Sequence, residues 1–507
     1  MDLELKKESL ANFEIAALLR GEREEITESI VPDSLPDILR IITTDGKVYL
    51  RQEEIRDEKV TLSGVAEVTA VYVAENGALK SLRAELPFLM EEACPKSAEK
   101  LRTNIWVEEL SCHTLNPRKW QVKCRLQAEI NVYEHRTENF CSCCAEEGER
   151  VECLQKTESA MLIASLAEKD FTYEDTLSLA SGHGRVTDLL LARVNARVKE
   201  TKTSANNTTV KGIYFADFLV AYENGYCETV SYELPFAQTG ELDGGKDEAK
   251  VEAAVRLTGM DCKLFGTGEN EQTVSLSLFT HLETTTVVRR EFPVLGDLYS
   301  TMKETETEMR EMHLQNAAET AVRRQVWQEN AEVGTSAESI LHIAASTGAV
   351  RVMRTDGGAE LSTRLRVQIV YKTQEGKVLS AERYAEVKTE IRLPSESGLN
   401  CRAEVAAELS AVITGDGIAV RVPVDFFTEQ REEKHIRYVH AARSLPEEES
   451  GCARKPSLVL RRREAGESLW SVAKRYRTTT DDILSANGCC TETELPSEKL
   501  LLIPKSR

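Results

Sequence analysis

The chain has 507 residues, of which 41% are hydrophobic and only 6% aromatic, and its formal net charge at pH 7 is −20. This length predicts roughly three to four domains, and no stretch approaches the roughly 20 apolar residues of a membrane-spanning helix. The negative charge argues against nucleic-acid binding, because that function needs a basic surface.

The most informative feature is an internal repeat, in which residues 60–88 and 208–236 align without a gap. The match predicts duplicated modules, and these favour a scaffold with repeated surfaces over an enzyme with a single cleft. The identical blocks are Gly64 and Gly212, Glu75-Asn76-Gly77 and Glu223-Asn224-Gly225, and Glu85-Leu86-Pro87-Phe88 and Glu233-Leu234-Pro235-Phe236.

Each module is predicted to contain two β-hairpins. Residues 60–73 and 120–132 alternate between apolar and polar side chains, which is typical of strands. Asn76-Gly77 is a strong hairpin signal, and Pro87 ends the return strand or marks a sheet edge. Paired turns recur at similar spacing, at Asn116-Pro117, at Asn224-Gly225 with 266–268, and at Glu375-Gly376 with Asp416-Gly417.

The fold class is therefore predicted to be mainly β, with repeated antiparallel modules. The third module is divergent, because it lacks both the Gly that matches Gly64 and the Leu-Pro-Phe block. The predicted module boundaries are 28–145, 175–292 and 335–435.

Three kinds of connecting segment are predicted around these modules. Before each module lies a short apolar arm with one helical turn, at 31–41, 187–190 and 338–341. Residues 303–329 are rich in Glu, Ala, Arg and Gln, which predicts a linker helix. Residues 443–456 contain Pro446, Gly451 and Pro456 among acidic side chains, which predicts a flexible linker.

Residues 457–507 are predicted to form a small β-α-α-β domain. Ser468 is placed to cap the first helix, and Thr479 or Thr480 the second, while Gly488 suits the end of the second helix. The segments that carry this prediction are Leu458–Leu460, Gly466–Tyr476, Asp481–Gly488 and Leu500–Pro504.

These segments resemble the LysM domain, although Glu498 stands where that family usually has Gly and the insert 489–497 is long. The resemblance implies an N-acetylglucosamine-binding groove between the first strand–helix turn and the second helix–strand loop. Leu469, Val472, Tyr476, Ile483 and Ile503 are also expected in the core of so small a domain, and Trp470 suits either core or groove. The groove candidates are Gly466, Glu467, Ser468, Leu469, Trp470, Ile483, Asn487 and the loop 489–499.

The repeats resemble the SPOCS domain of endospore-forming bacteria, on the motifs Val31–Leu39, the strand at Gly64, Glu85–Phe88 and Leu115–Lys119. Three such units before one LysM-like domain are similar to the clostridial spore coat morphogenetic proteins. That resemblance implies a cytoplasmic protein of the mother cell, located at the forespore surface and spore coat. It also implies that the LysM-like domain binds the coat-basement ATPase, and that other coat proteins are partners.

The favoured function is a non-enzymatic scaffold in coat and cortex assembly, and the alternative is a glycan-binding protein of the spore envelope. No nucleophile motif, HExxH or phosphate-binding loop is found, so neither catalysis nor a cofactor is expected. A further hypothesis is that exposed module edges pair with coat proteins by strand addition. Reduced thiols are favoured over a zinc site at Cys141, Cys143, Cys144 and Cys153, because no paired CxxC or His partner has the usual spacing.

Overall fold

The fold is taken from a computed structural model of the chain, which describes most residues between 2 and 505. The described ranges are 2–144, 150–179, 183–204, 207–241, 249–266, 272–333, 336–393, 398–406, 408–415, 417–445, 457–462, 467–495 and 500–505.

The first module consists of two three-stranded antiparallel sheets. Its strands are β1 (Leu5–Ile30), β2 (Ile38–Arg56), β3 (Lys59–Ala74), β4 (Leu79–Ala93), β5 (Lys100–Asn116) and β6 (Lys119–Cys144). The strand order is β1-β6-β5 in one sheet and β2-β3-β4 in the other. The alternating strands β3 and β6 bury their apolar side chains between the sheets, where Leu62, Val68, Trp120 and Leu126 are fully buried.

The second and third modules repeat this order. The second contains β7 (Val151–Ser178), β8 (Val186–Ser204), β9 (Asn207–Tyr222), β10 (Cys227–Glu241), β11 (Lys250–Phe265) and β12 (Thr273–Ser300). The third contains β13 (Thr305–Ala331), β14 (Ala337–Thr355), β15 (Gly358–Thr373), β16 (Val378–Arg392), β17 (Gly398–Val405), β18 (Ser410–Ile413) and β19 (Ile418–Ser444). Both β17 and β18 pair with β19, so they occupy the place that β5 has in the first module. The mainly β prediction is confirmed.

The repeated sequence blocks are cross-strand partners. Gly64 on β3 lies opposite Phe88 on β4, and Gly212 on β9 lies opposite Phe236 on β10. A Cβ atom on Gly212 would lie 2.3 Å from Cζ of Phe236 and 2.4 Å from the backbone oxygen of Arg197. The glycine therefore makes room for both the ring and the neighbouring strand.

The third module has a different residue at the position of these glycines. Thr363 occupies the position of these glycines and lies opposite Val350. The facing strand β14 has a register shift between Thr347 and Val350, and Gly348 lies in it. The Thr363 hydroxyl donates to the Gly348 carbonyl at 2.9 Å. In this module a threonine therefore takes the place of the glycine and is bonded to the irregular part of the facing strand.

The predicted linker helix is wrong, because residues 303–329 fall largely within strand β13. That strand pairs with β19 almost along its length, and it buries Met312 and Leu314. Long-range pairing and burial therefore override the helix propensity of its Glu, Ala, Arg and Gln residues.

Two other predicted segments also differ. Residues 5–30, most of which lie before the predicted start at 28, form β1 on the edge of the first sheet. The predicted helical turns of the arms are wrong: 187–190 and 338–341 are strand, and 32–35 forms a single turn closed by a bond from Leu35 N to Pro32 O of 2.9 Å. These short segments are apolar because they enter sheets, not because they form helices.

The three modules form a closed ring. Strand β4 of the first module contacts β8 of the second, β10 contacts β14 of the third, and β16 contacts β2 of the first. Equivalent side chains from all three modules meet in two shared apolar clusters. One cluster contains Ile42, Leu190 and Leu341, and the other contains Leu10, Leu162 and Leu314.

The C-terminal domain comprises β20 (Leu458–Arg462), α1 (Leu469–Tyr476), α2 (Thr480–Ala486), a 3-10 turn at Glu492–Glu494 and β21 (Leu500–Pro504). Its strands pair antiparallel, which gives the predicted β-α-α-β order. Within the described part of the chain, no helix is long and apolar enough to cross a membrane.

Candidate binding site in the C-terminal domain

The helices of the C-terminal domain begin at the predicted caps. The Ser468 hydroxyl accepts from Ser471 N at 3.2 Å, and the Thr479 hydroxyl accepts from Asp482 N at 2.9 Å. Asp482 lies in the first turn of α2, where a negative charge is favoured by the helix dipole. After α2, Gly488 has a φ of 68°, a left-handed conformation that favours glycine.

Two predicted groove residues have their side chains in the core. Leu469 and Ile483 are 2% and 0% exposed, and they pack with Val472 and Ile503. The core interpretation of these four side chains is thus confirmed, and Tyr476 packs against the same cluster while remaining partly exposed. A ligand would contact the backbone near Leu469 more readily than its side chain.

The two lips of the predicted groove are joined by a hydrogen bond. The backbone N–H of Leu469 donates to Oε1 of Glu492 at 2.9 Å, and Glu492 belongs to the insert that follows α2. A carboxylate thus occupies a helix N-terminus on the side where a groove ligand would approach. Gly466 and residues 496–499 lie outside the described residues.

Asn487 and Glu467 hold parts of the domain together. The Asn487 amide donates to the carbonyls of Ile483 at 2.7 Å and Leu502 at 2.8 Å, and its oxygen accepts from Leu502 N at 2.9 Å. It therefore ties α2 to β21. Glu467 lies 3.0 Å from Arg461 on β20 and 3.8 Å from Arg475 on α1, so its carboxylate forms ion pairs with both elements.

Trp470 contacts the second module. Its indole N–H donates to Oδ2 of Asp297 at 2.8 Å, and Lys474 one turn later lies 2.5 Å from Oδ1 of the same residue. The indole ring also packs edge-on against Tyr299, with ring centroids 4.9 Å apart. One face of α1 is thus bound to the end of β12.

Tyr299 extends this contact into the core of the C-terminal domain. Its hydroxyl donates to the Thr478 carbonyl at 2.7 Å, and its ring joins the cluster around Leu469. Burial raises the pKa of Tyr299, and nearby Glu152 and Asp297 add to the rise, so the phenol keeps its proton. Asp297 and Tyr299 were missed by sequence reasoning, because no local pattern links them to a helix so distant in the chain.

The outer face of the β20–β21 ribbon is mostly apolar, and among the described residues nothing packs over its leucines. Leu458, Leu460 and Leu500 are 49%, 59% and 61% exposed. Leu458 pairs with Pro504, Leu460 with Leu502 and the exposed Arg462 with Leu500, so the five apolar side chains share this face with one guanidinium group. We call this set of five residues the ribbon face. Sequence analysis had assigned these residues only to strands.

The candidate thiol ligands do not converge on one ion. Cys141 donates to the His440 carbonyl at 3.5 Å, whereas Cys144 donates to the Glu4 carbonyl at 3.5 Å. Burial raises the pKa of Cys141 and of Cys153, which disfavours the thiolate that a metal requires. Among the described residues, the groups close enough to share an ion are Glu311 with His313 and His435, and Glu53 with His281 and Glu283.

Comparisons with known families agree with this architecture. The family model described as "SipL, SPOCS domain" matches residues 37–115, and the LysM domain model matches residues 464–504. No curated protein and no solved structure matches the chain. Residues 37–115 are thus similar to the SPOCS domain and residues 464–504 to the LysM domain, a combination that matches a sporulation protein, and the members of both families are non-catalytic binding domains. The LysM domain suggests glycan binding, as in peptidoglycan-binding proteins.

Proposed function

We propose that this sporulation protein is a non-enzymatic scaffold that joins components of the endospore coat and cortex, acting in the mother cell at the forespore surface. In this proposal, the LysM domain binds the coat-basement ATPase, and the ring of β modules contacts other coat proteins. The ATPase as partner comes from the resemblance of the whole arrangement to clostridial coat morphogenetic proteins.

The ribbon face is the observation that best supports a protein partner. Large exposed apolar patches mark interaction surfaces in water-soluble proteins. Leu460 and Leu500 are the most exposed of its side chains, and a partner that covered them would bury apolar area worth about 25 cal/mol per Å². The ribbon face lies on the LysM domain itself, which favours that domain as the ATPase-binding part.

Glycan binding is the second candidate, because the LysM family suggests it. The bond between Leu469 and Glu492 weighs against an open groove, since a sugar would displace a carboxylate from a helix N-terminus. The two candidates use different surfaces, so substitutions separate them.

The test is a binding assay with the full chain, the purified ATPase and chitin oligomers. Leu460→Lys with Leu500→Lys should weaken ATPase binding at least tenfold, because both changes place charge on an exposed apolar face. Leu18→Lys is the matched control, since Leu18 is 57% exposed on β1 and Leu460 is 59% exposed. Micromolar binding of chitin oligomers, with ATPase binding absent or unaffected by the ribbon-face changes, would refute the proposal.

Among the three equivalent edge strands β4, β10 and β16, one is better suited to strand addition than the other two. Edge strands β4 and β10 carry Pro87 and Pro235, whereas β16 has Glu386 at the equivalent register position. Proline blocks pairing at an edge. We therefore assign the coat-protein edge to β16.

Glu386→Pro tests this assignment, because the two other modules accommodate proline at that position. We expect the variant to melt like the wild type and to recover less coat protein in pull-downs from sporulating cells. Undiminished recovery would exclude strand addition at β16.

A further inference from the structure

A group of ionisable side chains lies at the contact between the first and second modules. Glu53 is on β2 of the first module, and His281 and Glu283 are on β12 of the second. Nε2 of His281 lies 4.0 Å from Oε1 of Glu53 and 3.8 Å from Oε1 of Glu283. Oε2 of Glu168 on β7 is also 4.0 Å from this nitrogen.

Each of the three central residues has a buried atom without a hydrogen-bond partner among the described residues. These atoms are Oε2 of Glu53, Nε2 of His281 and Oε1 of Glu283. His281 is only 9% exposed. Unpartnered buried polar atoms are costly, so three that converge from two modules indicate a group that would join them.

The outer contacts orient these atoms. Nδ1 of His281 lies 2.6 Å from Oδ1 of Asp170, which directs Nε2 towards Glu53 and Glu283. A carboxylate on the far nitrogen is the usual support of a metal-binding histidine. Arg256 contacts Oε1 of Glu53, and Arg102 lies 3.7 Å from Oε2 of Glu283. Nε of Arg256 also lies 3.6 Å from Oε1 of Glu283, one of the three unpartnered atoms, so a bound ion would compete with this guanidinium group there.

The charges in this group are unbalanced. Contacts of 4.0 Å or less link four carboxylates with two guanidinium groups and one imidazole. With the imidazole neutral, the group has two more negative than positive charges. A divalent cation would balance it, and burial makes such balance valuable. The members are Glu53, Arg102, Glu168, Asp170, Arg256, His281 and Glu283.

We propose that Glu53, His281 and Glu283 bind one divalent transition-metal ion that ties the first module to the second. One imidazole and two carboxylates suit Zn²⁺, Co²⁺ or Mn²⁺, and the imidazole disfavours Ca²⁺ and Mg²⁺. Ligands of a tetrahedral ion with bonds of 2.0–2.2 Å lie about 3.4 Å apart. The observed 3.8 Å between His281 and Glu283 needs only a small movement to reach that spacing.

The test uses the full chain, stripped of metal under reducing conditions and titrated with Zn²⁺ and Co²⁺. The exposed group Glu311, His313 and His435 is a competing site, so His313→Gln with His435→Gln forms the background. In that background we expect one Co²⁺ per chain without a thiolate charge-transfer band. Zn²⁺ at a hundredfold excess over Kd should raise the melting temperature by about 3 °C.

Two substitutions give graded results. His281→Gln should abolish tight binding. Asp170→Asn should weaken it by about 10–100-fold, because Asp170 only positions the imidazole. The Asp170 side chain is 83% exposed, so its replacement should leave the fold intact.

Three results would overturn the proposal. One is the absence of metal binding in the background variant, and another is binding that His281→Gln leaves unchanged. The third is a melting temperature that Zn²⁺ at a hundredfold excess over Kd leaves unchanged.

Discussion

Gly212 is the position where the fold leaves least room for a side chain. A Cβ atom there would lie 2.3 Å from Cζ of Phe236 and 2.4 Å from the Arg197 carbonyl oxygen, far inside van der Waals contact. The ring can rotate, but the carbonyl belongs to the neighbouring strand β8 and moves only with its sheet. We therefore expect Gly212→Ala to separate β8 from β9.

The cost follows from these contacts. Overpacking a well-packed core costs about 1–3 kcal/mol, and a clash with the backbone should bring Gly212→Ala to the upper end, about 3 kcal/mol. Adding Phe236→Leu removes the ring contact but leaves the Arg197 contact. The double variant should therefore remain destabilised, because the carbonyl clash persists.

Hydrogen exchange of peptides from β8, β9 and β10, with calorimetry of the full chain, measures the effect. Gly240→Ala is the matched control, because Gly240 lies on β10 and nothing lies within 4 Å of its added Cβ. We expect Gly240→Ala to change stability by less than about 0.5 kcal/mol. The reasoning is refuted if β8, β9 and β10 are as well protected from hydrogen exchange in Gly212→Ala as they are in Gly240→Ala.

Three further predictions concern contacts between parts of the chain. Burial lowers the pKa of Lys47 to about 8, so the charged amine destabilises the fold near pH 7. Lys47→Met should therefore raise the free energy of unfolding by about 2 kcal/mol at pH 7, and calorimetry should show a smaller gain at pH 10, where the Lys47 amine of the folded wild type is neutral. Burial opposes ionisation of Asp425, but Arg324 and Arg197 outweigh it and hold its pKa below the usual range. The stabilisation from these ion pairs is therefore present at neutral pH and is lost as the pH falls through the lowered pKa. Asp425→Asn should lower the free energy of unfolding, measured with denaturant, by about 3–5 kcal/mol. Trp470→Ala should release the LysM domain from β12 and increase the maximum dimension measured by small-angle scattering, because the ring contact with Tyr299 and the bond to Asp297 are lost.

Each of these has a contrary outcome. A gain from Lys47→Met that stays constant between pH 7 and pH 10 would mean that the amine keeps its proton. An Asp425→Asn variant as stable as the wild type at pH 7 would mean that the two arginines do not depend on it. Unchanged scattering of Trp470→Ala would mean that Lys474 and Tyr299 suffice to hold the domain.

Local signals in the sequence were enough to predict the hairpins and the LysM domain. Asn76-Gly77 and Asn224-Gly225 are turns because their glycines have φ of 80° and 78°, and the caps Ser468 and Thr479 act within three residues. The long strand β13 was missed, because its helix-favouring composition is overridden by pairing with residues of β19 that lie 87 to 139 positions later in the chain. Such pairing leaves little trace in a local window.

The candidate site was predicted only in part. Sequence resemblance identified the LysM domain and its helix starts, and small size correctly predicted that Leu469 and Ile483 are core residues. The contacts of Trp470 with Asp297 and Tyr299 depend on how the domain packs against the ring. Side chains that meet through packing of separate modules carry no fixed spacing in the sequence, so periodicity and motifs do not identify them.

The ring of three modules has a consequence for binding stoichiometry. Cyclic assemblies usually consist of identical subunits, and each subunit then carries the same appendage. Here one chain supplies all three modules, and its single LysM domain packs on β12. A homotrimer of one module would present three LysM domains and gain avidity from them. Fusion of the repeats gives each ring one LysM domain, so under the proposed function one chain would engage one partner through that domain.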